Sequence, residues 1–258
     1  MLEVKNISKT FNQDSINENK VFENFSLKIN KDDFICVIGS NGAGKSTLLN
    51  VVSGKIKIDR GSISLNQKDI TNESEDVRCK VISRIFQDPS LGTVPTMTIF
   101  ENLSMAMNKG KKFNLSLLSD KKNEQFFKDL LKILDLNLEN KLYTKVSDLS
   151  GGQRQSLSLI MSTLNNPELL LLDEHTAALD PKTSEIIMEI TDKLVKEKKL
   201  TTLMVTHNMN HALKYGNRLI MMHRGNIIID VSGDEKKSLT KEKLLSLFKE
   251  VSDRSLFS

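Results

Sequence analysis

The sequence predicts an α/β fold: a mostly parallel sheet with helices on both faces, an N-terminal antiparallel β subdomain and an inserted α-helical subdomain. Three observations carry this. Residues 34–38, 169–172 and 203–205 are continuously apolar, and 81–85 is a mainly apolar run, rather than alternating, the pattern of strands covered on both faces. Between the second and third of these runs lie about eighty residues of helical pattern. Ahead of them, residues 2–7, 25–29 and 62–65 form short strand-like segments.

Taken in order, the first two strands flank the polar stretch 12–20, which has no apolar periodicity and reads as a hairpin loop. The buried strand 34–38 runs into GSNGAGKST and then into LLNVVSG, which starts as a helix. The insert opens near Asp88 and closes near Asn165. Within it, Thr98 and Glu101 stand at capping-box spacing, and residues 126–138 are amphipathic. After residue 205 comes a hairpin, 219–222 and 227–230, turning at Gly225-Asn226. A short helix closes the chain, with Leu244, Leu245 and Phe248 on one face. The expected division is therefore a core of 1–87 with 166–230 that includes the β subdomain, a helical subdomain of 88–165, and a C-terminal helix within 231–258.

Composition narrows the class. A chain of 258 residues with 38% hydrophobic content can bury a core. The formal net charge of +4 is small, and the lysine groups at Lys109, Lys111 and Lys112 and at Lys121 and Lys122 are short, as solvated loops are; no nucleic-acid partner is expected. Cys36 and Cys79 lack the spacing of a metal site and fit a reducing compartment. No run approaches the ~18 apolar residues of a membrane span.

The stretch Gly39, Ser40, Asn41, Gly42, Ala43, Gly44, Lys45, Ser46, Thr47 satisfies G-x-x-x-x-G-K-[ST] between a strand and a helix. Its glycines let backbone N–H groups face a phosphate, and the helix N-terminus adds its dipole. Lys45 would reach the β- and γ-phosphates and Ser46 would bind Mg²⁺; a P-loop NTPase core follows. Such a site needs a carboxylate at the end of a neighbouring strand. ELLLLDEH supplies Asp173 there, with Glu174 beside it as the natural base for activating water.

Further on, LSGGQRQ starts a helix: Ser150 and Gln153 match the capping box S-x-x-Q, and Leu157, Ile160, Met161 and Leu164 share a face. A plain helix start does not need Gly151 and Gly152, each costing about 1 kcal/mol relative to Ala. Their presence points to a phosphate approaching exposed N–H groups.

With the P-loop, LSGGQRQ and LLLLDE in that order, the chain resembles the ATP-binding cassette (ABC) family of nucleotide-binding subunits over essentially its whole length. The resemblance implies a role for further residues. Phe11, in SKTF, is similar to the aromatic that stacks on adenine, the alternative being a core ring. Gln87, in IFQDPS, resembles the Q-loop glutamine that ligates Mg²⁺ and senses the γ-phosphate. Asp180, in AALD, resembles the D-loop aspartate and is equally placed as an N-cap before Pro181. His207 resembles the switch histidine on the γ-phosphate. A zinc pair with His211 lacks a glutamate and a third ligand.

One departure stands at His175, where the family usually has Pro. The string DEHTAALD is similar to that of some bacterial importer-type ATPases, including ones for amino acids. The resemblance further implies that Ser150, Gly151, Gly152 and Gln153 cover the ATP of a second subunit, giving a homodimer or a pair with a paralogous ATPase. It implies ATP and Mg²⁺ as cofactors, separate integral membrane permease subunits and an extracellular substrate-binding protein, with this chain on the cytoplasmic face of the membrane. A groove between Gln87 and the insert would meet the permease through Pro89, Met97 and Phe100. Two rival readings remain at this point: a soluble ABC ATPase, as in iron–sulfur assembly, and an ATP-dependent dimerising module.

Overall fold

The structure, a computed structural model of the chain, describes residues 1–110 and 121–254. Lys111 and Lys112 of the first lysine group, and residues 255–258 of the expected C-terminal segment, lie outside them.

The chain opens with β1 (Leu2–Phe11) and β2 (Asn19–Ile29), both longer than the sequence pattern indicates. The reason is bulging. The register between them shifts after Val4 and again after Ile7, and Asn6 and Asn24 take positive φ of 46° and 55°. A bulge breaks the alternation of period 2 that marks a strand, and Asn tolerates the left-handed region. Buried β3 (Phe34–Gly39) then leads into α1 (Lys45–Ser53), followed by β4 (Arg60–Leu65), β5 (Lys68–Asp69) and the single turn α2 (Glu75–Arg78).

Next come β6 (Ile82–Ile85), α3 (Ile99–Met107), α4 (Glu124–Lys132), α5 (Gly151–Thr163), β7 (Leu169–Asp173) and α6 (Pro181–Lys198). The last elements are β8 (Thr201–Val205), α7 (Met209–Lys214), the hairpin β9 (Arg218–His223) and β10 (Asn226–Ser232), α8 (Gly233–Lys237) and α9 (Lys241–Arg254). On α9 the expected apolar face is only partly used: Leu244 is buried while Leu245 is exposed. Among the described residues no helix is long and apolar enough to cross a membrane.

Two compact units result, Met1–Arg78 with Thr201–Ser258, and Cys79–Leu200. The first holds an antiparallel sheet in the order β2-β1-β4-β5 and the strands β10-β9-β3-β8. There β3 runs parallel to both β8 and β9 and the hairpin adds an antiparallel edge. Residues 34–38 are buried throughout, as a strand covered on both faces must be. In the second unit β6 and β7 pair in parallel, Ile82 to Leu169 through Ile85 to Leu172.

Arg78 organises the region behind α1. Its guanidinium donates to five backbone carbonyls: Val51 and Val52 at 2.9 Å, Ile70 at 2.6 Å, and Thr71 and Glu73 at 3.0 Å. Two of these belong to the last turn of α1, whose terminal carbonyls have no partner within the helix. Arg78→Met should therefore lower stability by about 3 kcal/mol or more, because it strands buried acceptors. The denaturation midpoint reads this directly.

Candidate functional site

The first unit carries the phosphate loop. Gly44 caps α1 at φ 94°, and no side chain caps that helix end. A Cβ at Gly44 would stand 2.9 Å from the Phe22 ring, so both conformation and space require glycine there. Asn41, Gly42 and Ser46 are exposed, whereas Ala43, Gly44 and Lys45 are buried. The loop closes on itself through Ala43 N–H donating to the Ser40 carbonyl at 3.2 Å. Gly225 N–H ties it to the hairpin, donating to the Ala43 carbonyl at 3.1 Å. Lys45 Nζ arches back to donate to the Gly39 and Ser40 carbonyls, each at 2.9 Å. The result is a helix N-terminus that no side chain caps with a buried-stem ammonium beside it, a pairing whose charge suits a polyphosphate.

Phe11 ends β1 as a half-buried ring rather than a core residue, with Lys9 Nζ 5.5 Å from its centroid. Lys9 is itself anchored to Asp59 at 2.7 Å. His207 is exposed just after β8, and Asn208 behind it caps α7 by accepting from Asn210 and His211 N–H groups. His211 is buried edge-on against Tyr215 at 5.9 Å between centroids.

The second unit carries the carboxylates and the glycine-rich helix start. Gln87 is exposed in the bend after β6. Asp173 ends β7 and pairs with Arg84 of β6, Nη2 to Oδ2 at 2.5 Å; the sequence gives no sign of this partner. Glu174 follows in the left-handed region at φ 46°, half-buried, a conformation that costs an L-residue and gathers at functional sites. His175, the departure from proline, is 2% exposed and lies 3.2 Å from the Thr191 hydroxyl. That hydroxyl donates to the Ile187 carbonyl, so Nε2–H is the donor toward it. His175 thus fastens the end of β7 to α6.

Both expected capping boxes form. Thr98 and Glu101 cap α3, and Ser150 and Gln153 cap α5 with both bonds at 3.2 Å. The two glycines differ, however. A Cβ on Gly152 would meet Thr183 Cγ2 at 2.4 Å, while one on Gly151 finds only Leu179 at an ordinary 3.4 Å. Packing against α6 accounts for Gly152, whereas exposed Gly151 leaves room for a ligand to come close. Asp180 caps α6 by accepting from Thr183 N–H at 3.0 Å, and the hydrogen bonds from Thr183 hold its carboxyl below the usual carboxylate range.

Phe100 is corrected from a surface contact to a core residue. It is 2% exposed and packs on Phe127 and Tyr143 at 5.3 and 5.7 Å. A groove of about 400 Å³ does lie in this unit, but Arg84, Leu91, Val94, Met105 and Lys109 line it instead. Leu91 and Met105 are 68% and 40% exposed.

The ABC transporter family model matches residues 22–177. The chain belongs to the ABC transporter family. A tyrosine transport ATP-binding protein of Clostridioides difficile (strain R20291) is 55% identical over 249 residues, 96% of this chain and 98% of the relative. A phosphonates import ATP-binding protein of Oceanobacillus iheyensis (strain DSM 14371) is 31% identical over 96% of this chain and 95% of its own. Among solved structures, a dimeric post-hydrolysis ATP-binding cassette bound to ADP and Pi matches at TM-score 0.76 and 28% identity, covering 90% of this chain and 98% of that one. This ABC cassette is thus an ATP-binding subunit that hydrolyses ATP to drive transport, and its fold is the α/β one expected, with an antiparallel β subdomain.

Each unit, taken by itself, offers hard oxygen donors of the kind Mg²⁺ prefers: the Ser46 hydroxyl in the first, and the Asp173 carboxylate and the Gln87 amide oxygen in the second. Lys45→Ala should weaken nucleotide binding by about 10- to 100-fold, the worth of a charge-assisted hydrogen bond. A nucleotide titration with unchanged affinity would contradict the phosphate assignment.

Proposed function

We propose that this cassette powers uptake of an amino acid of the tyrosine class through separate membrane subunits. The observation that carries the cargo class is the 55% identity, over nearly the whole of both chains, to a tyrosine transport ATP-binding protein. The DEHTAALD string at residues 173–180 points the same way.

In this reading Phe11 stacks on adenine, and residues 39–47 wrap the phosphates of one ATP. Ser150, Gly151, Gly152 and Gln153 cover the ATP of a second cassette, identical or paralogous. Ser46, Gln87 and Asp173 hold Mg²⁺, which when bound neutralises phosphate charge. Glu174 takes the proton from the attacking water, His207 contacts the γ-phosphate, and Asp180 lies along the dimer interface. Loss of the γ-phosphate loosens the dimer, and the membrane subunits move with it.

Those subunits dock in the groove beside Leu91 and Met105, whose exposed apolar side chains are poor company for water. The chain then works peripherally at the cytoplasmic face, and an extracellular binding protein delivers the cargo. Deleting this chain from its host should abolish high-affinity uptake of labelled tyrosine, restored by the wild type and not by Lys45→Ala. Unchanged tyrosine uptake in the deletion strain would remove the cargo class while leaving the ATPase reading untouched.

A further inference from the structure

Arg84 joins two features that the family likeness treats separately. Its guanidinium is bonded to Asp173 at 2.5 Å, with the two side chains only 9% and 15% exposed. The same guanidinium lies over the Phe86 ring, 5.0 Å from its centroid, and it lines the groove that holds Leu91 and Met105. A carboxylate that shares its charge with a nearly buried guanidinium is a weaker ligand for a divalent cation. The two cations repel each other across one acceptor, and little water screens them.

We infer that Arg84 is a positioning residue that competes with the divalent metal for Asp173. It holds Oδ2 of that carboxylate through the ion pair, so metal enters fully only as the guanidinium gives ground. By reciprocity, whatever draws the guanidinium away from Asp173 strengthens metal binding, and metal at Asp173 weakens the grip on Arg84. The groove wall is where the side chain has room to go. This inference rests on the reading of Asp173 as a metal ligand.

The test is the binding of a fluorescent ADP analogue to the full chain, titrated once in chelator and once with Mn²⁺. The ratio of the two dissociation constants measures what the metal adds, and a merely structural role for Arg84 would not move it. Arg84→Gln should raise that ratio about tenfold, while metal-free affinity stays within about twofold. Arg84→Met, which keeps the aliphatic stem, should do the same and serves if the Gln variant folds poorly. Arg84→Lys should restore the wild-type ratio, and Asp173→Asn should collapse it toward one. A ratio unchanged or lowered in Arg84→Gln and Arg84→Met, with Asp173→Asn collapsed, overturns the competition and leaves the metal reading standing. A wild-type ratio in Asp173→Asn removes the metal reading and the inference with it.

Discussion

Glu174→Gln is expected to keep ATP binding and slow hydrolysis by about 100- to 10,000-fold, the usual worth of a general base. The geometry makes this substitution unusually clean. β7 delivers Asp173 at its last position, and the backbone then turns at once, Glu174 taking φ 46° and its carbonyl accepting from Ala177 N–H at 2.9 Å. That turn lifts the Glu174 side chain out of the strand's alternation and leaves it half-buried. Left-handed backbone costs about 1–3 kcal/mol for a residue other than glycine, and Gln carries the same cost as Glu. Volume, conformation and hydrogen-bonding reach are all retained; what disappears is the ability to accept a proton. Phosphate release under steady state and equilibrium nucleotide binding, measured on the same preparation, separate the two effects. Turnover near the wild-type rate would take the proton-accepting role from Glu174.

Local patterns were the legible part of this molecule. Apolar runs marked the strands of the core because burial on both faces removes alternation, and residues 34–38 and 169–172 are indeed buried. The capping boxes at Thr98 and Ser150 were readable because donor and acceptor stand three residues apart. What stayed hidden depends on partners distant in sequence. Arg84 meets Asp173 across 89 residues, and Arg78 reaches Val51 across 27; nothing beside either arginine announces this. Gly152 has the same glycine signal in sequence as Gly151, yet Thr183 of α6 lies against it, so packing by itself already requires a glycine there. Phe100 lies in the same apolar stretch as exposed Met105, and the helical period alone does not say which of the two faces the core.

That distinction between the two glycines sharpens the second large expectation, at Ser150. Ser150→Arg should spare nucleotide binding by the monomer while abolishing ATP-driven dimerisation, with turnover falling at least about 100-fold as a set of phosphate donors is lost. Ser150 is exposed at the N-cap of α5, and its neighbour Gly151 leaves the first turn of that helix open to a close ligand. An arginine there removes the cap, at about 1 kcal/mol, and sets a long side chain across the open N–H groups. Ser150→Ala is the control, since it loses the same cap without the obstruction. If the cap were all that Ser150 supplies, the two variants would dimerise alike. If α5 covers the phosphates of a second cassette, Ala should dimerise with ATP and Arg should not. A Glu174→Gln background makes this visible by light scattering, because slow hydrolysis lets the ATP-bound dimer accumulate. Substitution at Gly152 would be a poor probe of the same idea: its Cβ would strike Thr183, and a lost dimer could not be told from a displaced helix.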